Sequence, residues 1–505
     1  MSILRTRSRR FGLAGPIVLL ALATVLASCT PQEAPDAELR SAIEEALPAM
    51  ERFELVEVDD GPIVEELEGL VSSGAAGPVY VDLPVLRADG SIGEKTWTAY
   101  HVDVRREFLF NEGLPEAVQM SPVQPEGPSR TFRGIPEMTL EEIELMVDQP
   151  PDELNESEIQ PSVLNLVGDG FEGAYYGNPE SEAVQVIEKI DSLLQPHVGT
   201  DEARRLAALS DANYLVYRQQ DYQPPVEHGE IPAPEVIGLD THGEPADADG
   251  DAVRDTTADV HATSPFETVH PVMVADSTVY DPDTDTWLVS NWFDRVDAAA
   301  NRQDAYLLFS NIGSDVPSST SDLAVDNNRL LMRTEIAGYL VLTEYGKTQI
   351  SYPSNTCGGS GSFVDVVRQL STSTPNAENE YWMWWTKQYG GGCAYISTVH
   401  RDPNDYAVGW SGYGGGSTDW TSFVFMHESG HILGGTHQTN AAGSPETYDS
   451  HRCTIFGFWE VGPTGPSLMS YASGTRTSCF AVTDSDGVPK KNLTKSAEFL
   501  HSVLN

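Results

Sequence analysis

His427-Glu428-Ser429-Gly430-His431-Ile432-Leu433-Gly434-Gly435-Thr436-His437 places three of the chain's twelve histidines within eleven residues, with a carboxylate beside the first. The preceding stretch, Asp419 to Met426, contains no Gly or Pro, and Ser417, Thr418 or Asp419 can cap a helix that begins there. On a helix, His427 and His431 share one face about 6 Å apart, so two imidazoles can converge on one ion. Glu428 stands beside the first of them and is placed as a base, not as a ligand. On a continuing helix His437 would lie roughly 240° around, facing away from that ion. The helix is therefore expected to stop, and Gly434 can take the left-handed conformation that turns the chain and lets His437 approach from outside. Three imidazoles with an open fourth position suit a catalytic zinc, because structural zinc sites are usually closed by four protein ligands.

Working outward, the chain has 505 residues, which predicts two folded domains plus tails. Acidic residues outnumber basic ones 76 to 30, for a formal net charge of -46. Such a surface repels nucleic acid and anionic lipid, and neither is an expected partner. The N-terminus reads as an address: Arg5, Arg7, Arg9 and Arg10 precede the apolar run from Leu13 to Ser28, which Cys29 closes. Leu26 to Cys29, "LASC", resembles a bacterial lipobox, which implies an exported lipoprotein anchored through Cys29, or else a secreted chain. Contact with a membrane is then expected through that lipid alone.

Without Cys29, four cysteines remain, Cys357, Cys393, Cys453 and Cys479. In an oxidising compartment they predict two disulfides with three connectivities open; the shortest loops would join Cys357 to Cys393 and Cys453 to Cys479.

Five segments follow. Residues 1–29 are the signal peptide and 30–76 a polar tether turning helical. Residues 77–223 are mostly β, with strands expected at "PVYVDLPVL", "TWTAYHVDV", "SVLNLVGDG" and "NYLVYRQQ", and a helix at "EAVQVIEKIDSLL". Residues 224–264 have the acidic, Pro-rich composition of a linker. Within it Asp247 to Asp255 resembles a calcium loop, but Ala252 and Ala258 stand where glycine and a carboxylate are needed, so calcium is unsupported. Residues 265–505 alternate strand and helix patterns, including an amphipathic helix in "TWLVSNWFDRVDAAANRQ" and a helix at "SFVDVVRQL". Tyr381, Trp382, Trp384 and Trp385 form a continuous apolar run, the pattern of a strand buried on both faces more than of a carbohydrate platform.

The histidine motif fills every fixed position of H-E-x-x-H-x-x-G-x-x-H, and here the sequence resembles the metzincin zinc endopeptidases. The resemblance implies a methionine turn beneath the metal, which "GPSLMSYAS" supplies at Met469, and assigns Tyr471 a place near the metal or at the rim. "GGGCAYISTVH" and "YAVGWSGYGGGSTDW" look most like bacterial reprolysin-like, adamalysin-type proteases. The N-terminal domain is similar in scattered segments to their propeptides, which implies a zymogen. The implied architecture is an α/β (α+β) catalytic domain with a twisted mixed sheet and an active-site helix.

The implied chemistry is peptide hydrolysis by water activated on one zinc ion, with Glu428 and Tyr471 as catalytic residues. The strand near Tyr406 to Trp410 would pair with extended substrate. No cysteine follows Cys29 in the N-terminal domain, which excludes a thiol latch; Asp169 or Glu172, around "FEGA", are candidates for a carboxylate one. Two alternatives stand beside the protease reading: a lipid-anchored adhesion or binding protein with a protease-like fold, and a zinc hydrolase of a non-peptide substrate.

Overall fold

The computed structural model describes residues 35–87, 89–106, 119–134, 162–176, 184–222, 267–307, 310–311, 329–330, 332–344, 346, 380–387, 392–394, 408–412, 417–432, 453–455 and 459–461. The signal peptide with Cys29, the linker with its acidic loop, and the helix expected at "SFVDVVRQL" lie outside these residues.

In chain order the first part comprises α1 (Pro35–Ala46), β1 (Glu54–Val56), α2 (Asp60–Ser73), β2 (Val79–Leu86), β3 (Ile92–His101), β4 (Met120–Val123), β5 (Thr131–Arg133), β6 (Ser162–Val167), β7 (Gly170–Tyr176), β8 (Val184–Lys189), α3 (Ile190–Val198), α4 (Thr200–Ala207) and β9 (Tyr214–Arg218). Eight of these strands form one antiparallel sheet in the order β1-β9-β8-β7-β6-β5-β3-β2.

Both faces of this sheet are buried, and β9 shows how. Tyr214 and Val216 point into a core covered by Ile63, Leu67 and Leu70 of α2. Leu215 and Tyr217 point into the opposite core. The period-two alternation of a strand thus feeds two apolar layers. Leu39 and Ile43 of α1 are fully buried in the second layer, so the segment expected as a lead-in is built into this fold.

The helix expected across "EAVQVIEKIDSLL" divides in two. Val184–Lys189 is strand β8, paired on both sides, and the helix starts only at Ile190. Val, Val and Ile in its first half favour the pleated, two-sided environment that β7 and β9 supply, and tertiary pairing overrides the helical spacing.

The second part comprises β10 (Glu267–Ala275), β11 (Tyr280–Asp281), β12 (Thr286–Trp287), α5 (Trp292–Leu307), β13 (Ser310–Asn311), β14 (Arg329–Leu330), β15 (Met332–Thr334), β16 (Gly338–Leu342), β17 (Glu380–Thr386), β18 (Gly392–Ala394), β19 (Val408–Gly412), α6 (Thr418–Ile432), β20 (Cys453–Ile455) and β21 (Trp459–Val461). Its main sheet runs β18-β19-β17-β10-β16-β4, with β15 also on β10. The pairs among β10, β15, β16, β17 and β19 are parallel, whereas β18 and β4 are antiparallel additions at the two ends. Tyr381, Trp382, Trp384 and Trp385 of β17 are all buried, as the apolar run predicts. Mixed helices and sheets make the whole an α+β protein.

The two sheets share one core. Val163, Val186, Leu215 and Tyr217 of the first belong to the same buried cluster as Met273, Val296, Tyr381 and Trp420 of the second part. The end strand β4 comes from the N-terminal part yet pairs with β16, in the register Tyr339 with Val123 through Leu342 with Met120.

Between the sheets lies α5, whose composition explains its position. Asp294, Asp297, Asn301 and Asp304 recur at helical spacing and so make one polar stripe. Such a stripe ordinarily faces water. Here it is met by arginines of the N-terminal part: Arg130 reaches Asp294 at 3.3 Å, Arg105 pairs with Asp297, and Arg133 pairs with Asp304 and donates from Nε to Asn301 at 2.7 Å. Tyr339 also donates to Asp297, whose carboxyl is nonetheless pushed up to about 6 by burial. Among the described residues no helix is long and apolar enough to cross a membrane.

Candidate active site

The central element is α6. Ser417 precedes it, and its Oγ accepts from the Trp420 N–H at 3.0 Å while its carbonyl accepts from Thr421 N–H at 3.0 Å. Ser417 is therefore the cap among the three candidates, in the usual geometry of a hydroxyl on the third helical amide. The helix is buried around most of its circumference, with Trp420, Phe423, Val424, Phe425 and Met426 all in the core. Its hydroxyl residues are satisfied internally: Thr421 donates to the Ser417 carbonyl at 2.8 Å and Ser422 to that of Thr418 at 2.7 Å.

Toward the other end stand His427 and Glu428, each 3% exposed. His431 continues the same helix, one turn beyond His427. Phe423 stacks on His427, ring centroids 6.3 Å apart and planes 27° from parallel. Trp420 in turn stacks on Phe423 at 5.2 Å and 12°. The face behind the motif is fixed to the sheet, because Ser429 Oγ lies 3.0 Å from Tyr381 OH, which accepts from Gln303 Nε2 at 3.0 Å. Trp385 of β17 stacks on Phe425 at 5.7 Å. The segment bearing the motif is thus held by aromatic packing on one side and a short polar relay on the other.

Two imidazole-bearing positions one turn apart on a rigid helix, with a carboxylate between them, form a donor set that fits zinc. The structure brings His427, Glu428 and the backbone of His431 together in this way. The His431 side chain, Gly434, His437, Met469, Tyr471, Cys357 and Cys479 lie outside the described residues, as do the side chains of Cys393 and Cys453. The helix is described through Ile432, two residues before the glycine expected to end it.

Two expectations change. The strand read as the substrate-pairing edge is β19, but it is flanked by β17 and β18, so among the described strands the antiparallel end is β18. Asp169 and Glu172 were candidates for a carboxylate latch on the metal. Asp169 instead projects to solvent and binds Lys189 at 2.7 Å. Glu172 is buried and accepts from the Thr418 hydroxyl in the first turn of α6. Thr418 and His427 are nine residues apart, so about 13 Å of helix separates that carboxylate from the motif.

Sequence reasoning missed what surrounds that first turn. Glu188 Oε1 accepts from Ser417 Oγ at 2.9 Å and from the Asp419 N–H at 3.1 Å, and its Oε2 accepts from Tyr217 OH at 3.1 Å. Arg302 pairs with Asp419, and Arg295 donates to Thr418 Oγ1 at 2.8 Å. Burial, then Glu172 and then Asp419 push the Glu188 carboxyl up to about 7. Burial likewise raises Glu172, against the pull of Arg295. The acidic groups do not form a metal cage, since among the described residues no group of three His, Cys, Asp or Glu side chains is arranged to hold an ion. No sequence signal singled out these partners, since Glu188 lies in a segment of helical pattern that becomes strand β8.

Residues 309–481 match the Reprolysin_5 model of metallo-peptidase family M12. No curated protein matches the chain. The matched span begins just after α5, includes β16 through α6 with the complete histidine motif, and extends past Met469 and Tyr471. The region of the chain that carries His427, Glu428 and His431 is accordingly similar to the reprolysin-type metallo-peptidases of family M12.

Proposed function

We propose that the protein is an exported zinc endopeptidase in which His427, His431 and His437 hold the metal and Glu428 is the general base. The observation that carries this reading is the buried Glu428 on the same rigid helix as His427 and His431, within a segment matched by a zinc metalloprotease family.

Zinc, when bound, supplies the Lewis acidity that brings the pKa of water toward neutrality and polarises a peptide carbonyl. With the metal held by the histidines, the Glu428 carboxylate would take a proton from water and return it to the leaving amine. The apolar burial around Phe423 and Phe425 limits the motion of the helix, so the base stays in register with the histidines. Strand β18, at the sheet's antiparallel end, is the edge on which an extended peptide would add a strand. Met469 and Gly434 keep the structural roles, and Tyr471 the place near the metal or at the rim, that the resemblance implies. Export through the N-terminal signal and lipidation at Cys29 complete the reading.

Glu428→Ala tests it. The variant is expected to bind zinc as the parent does and to lose casein cleavage by about a hundredfold or more. Undiminished cleavage would remove Glu428 from the mechanism. Profiling the zinc-loaded parent against a peptide library separates a peptidase from a binding protein or from a hydrolase of other substrates.

A further inference from the structure

The partners of the first turn of α6 come from the N-terminal sheet. Glu172 lies on β7 and Glu188 on β8, neighbouring strands, and the two carboxylates meet Thr418, Ser417 and Asp419. The Asp419 amide would otherwise be an orphan of the helix terminus. Gln219, just after β9, donates to Asp419 at 3.1 Å. A second line of contact is aromatic: Tyr217 packs edge-on to Tyr222, and Tyr222 to Trp420 at 6.3 Å, from which the stack continues through Phe423 to His427. Trp420, Phe423 and His427 share one face by their spacing, so one stripe of rings runs from the N-terminal part to the first histidine.

The other attachments also lie away from the substrate edge. Strand β4 covers β16, at the end of the second sheet opposite β18. The arginines of the N-terminal part bind the buried stripe of α5. A segment that blocked the cleft would be expected along β18 or over His427, whereas these contacts of the described residues meet the first turn of α6, the stripe of α5 and the far end of the sheet.

We propose that the N-terminal part is a standing component of the enzyme, with Glu172, Glu188 and Tyr222 as positioning residues that fix α6 and through it the ring of His427. This rests on the zinc peptidase reading for its effect on rate, but the docking itself does not depend on it. The consequence is that activity needs no removal of the N-terminal part.

The test uses the full chain with a site-specific protease sequence inserted between residues 223 and 266. After cutting, the halves are expected to co-elute in gel filtration with zinc bound, and peptide cleavage should stay within about twofold of the uncut chain. Separation of the halves, or a severalfold gain in activity on cutting, would overturn the proposal. Glu188→Ala should lower kcat about tenfold at unchanged KM and zinc content. Glu188→Gln should restore it, because the amide carbonyl still accepts from Ser417 and Asp419 and its nitrogen can donate to Tyr217. Equal kcat in all three proteins would also count against it. If Glu188→Ala does not fold, the cut chain still decides. If the intact chain cleaves no peptide at all, the peptidase reading fails while co-elution continues to score the docking.

Discussion

The two ends of α6 are built on opposite plans. At the C-terminal end the groups that matter, His427, Glu428 and His431, are neighbours in the sequence, and their relation follows from helix geometry alone. At the N-terminal end the partners come from far away: Glu172 and Glu188 precede the turn they hold by more than two hundred residues. The chemistry is local in the chain and its support is not. A short motif therefore carries the proposed chemistry, while how firmly it is held depends on contacts that only the fold assembles.

The contrast can be broken at either end. The largest effect is expected at the motif, where His431→Ala should abolish zinc binding and peptide cleavage together, measured by metal analysis and by casein hydrolysis. A variant that keeps both would disconnect the motif from the chemistry. Next, Arg302→Ala leaves the buried Asp419 without its ion-pair partner, and loss of one member of a buried pair typically costs about 3–5 kcal/mol. Urea denaturation should show this loss, and a midpoint equal to the parent's would mean that Arg302 does not anchor the turn.

Glu188→Gln sharpens the comparison through pH. The Glu188 carboxyl is raised to about 7 from an ordinary value of 4.5, so its contribution to stability is full below about pH 4.5 and is lost as pH rises toward 7. The parent is therefore expected to lose melting temperature across that window, and the variant to lose less. Parallel curves would show that the network around Glu172, Asp419, Tyr217 and Arg302 does not titrate through Glu188. The smallest effect belongs to Ser417→Ala, which removes a helix cap and should cost about 1 kcal/mol in the same urea assay. A cost several times larger would show that the Ser417 hydroxyl also matters as a donor to Glu188.

Legibility in the sequence followed the same division. The buried strand at Tyr381 to Trp385 was plain because a run apolar on every residue suits a strand covered on both faces. The capping of α6 could be narrowed to three residues but not to Ser417, because that choice depends on which hydroxyl meets the Trp420 amide. Strand β8 was hidden inside a helical pattern because its identity comes from β7 and β9, not from its own spacing. The α5 stripe was readable as polar, but nothing in "WFDRVDAAANRQDAYL" reveals that arginines from another region neutralise it. The end of the sheet was assigned to β19 where, among the described strands, it is β18, because a strand's neighbours cannot be counted from its composition.

The placement of β4 carries a consequence for how the chain comes to be folded. Met120–Val123 leaves the ribosome more than two hundred residues before Gly338–Leu342, the strand it must lie beside. Until the two meet, β4 lacks this mate and β16 shows a bare flank, a state that invites pairing with foreign strands. Contacts this remote in sequence close slowly. Maturation of this sheet is thus expected to be a late event, completed only after Gly338–Leu342 has been made and has met Met120–Val123.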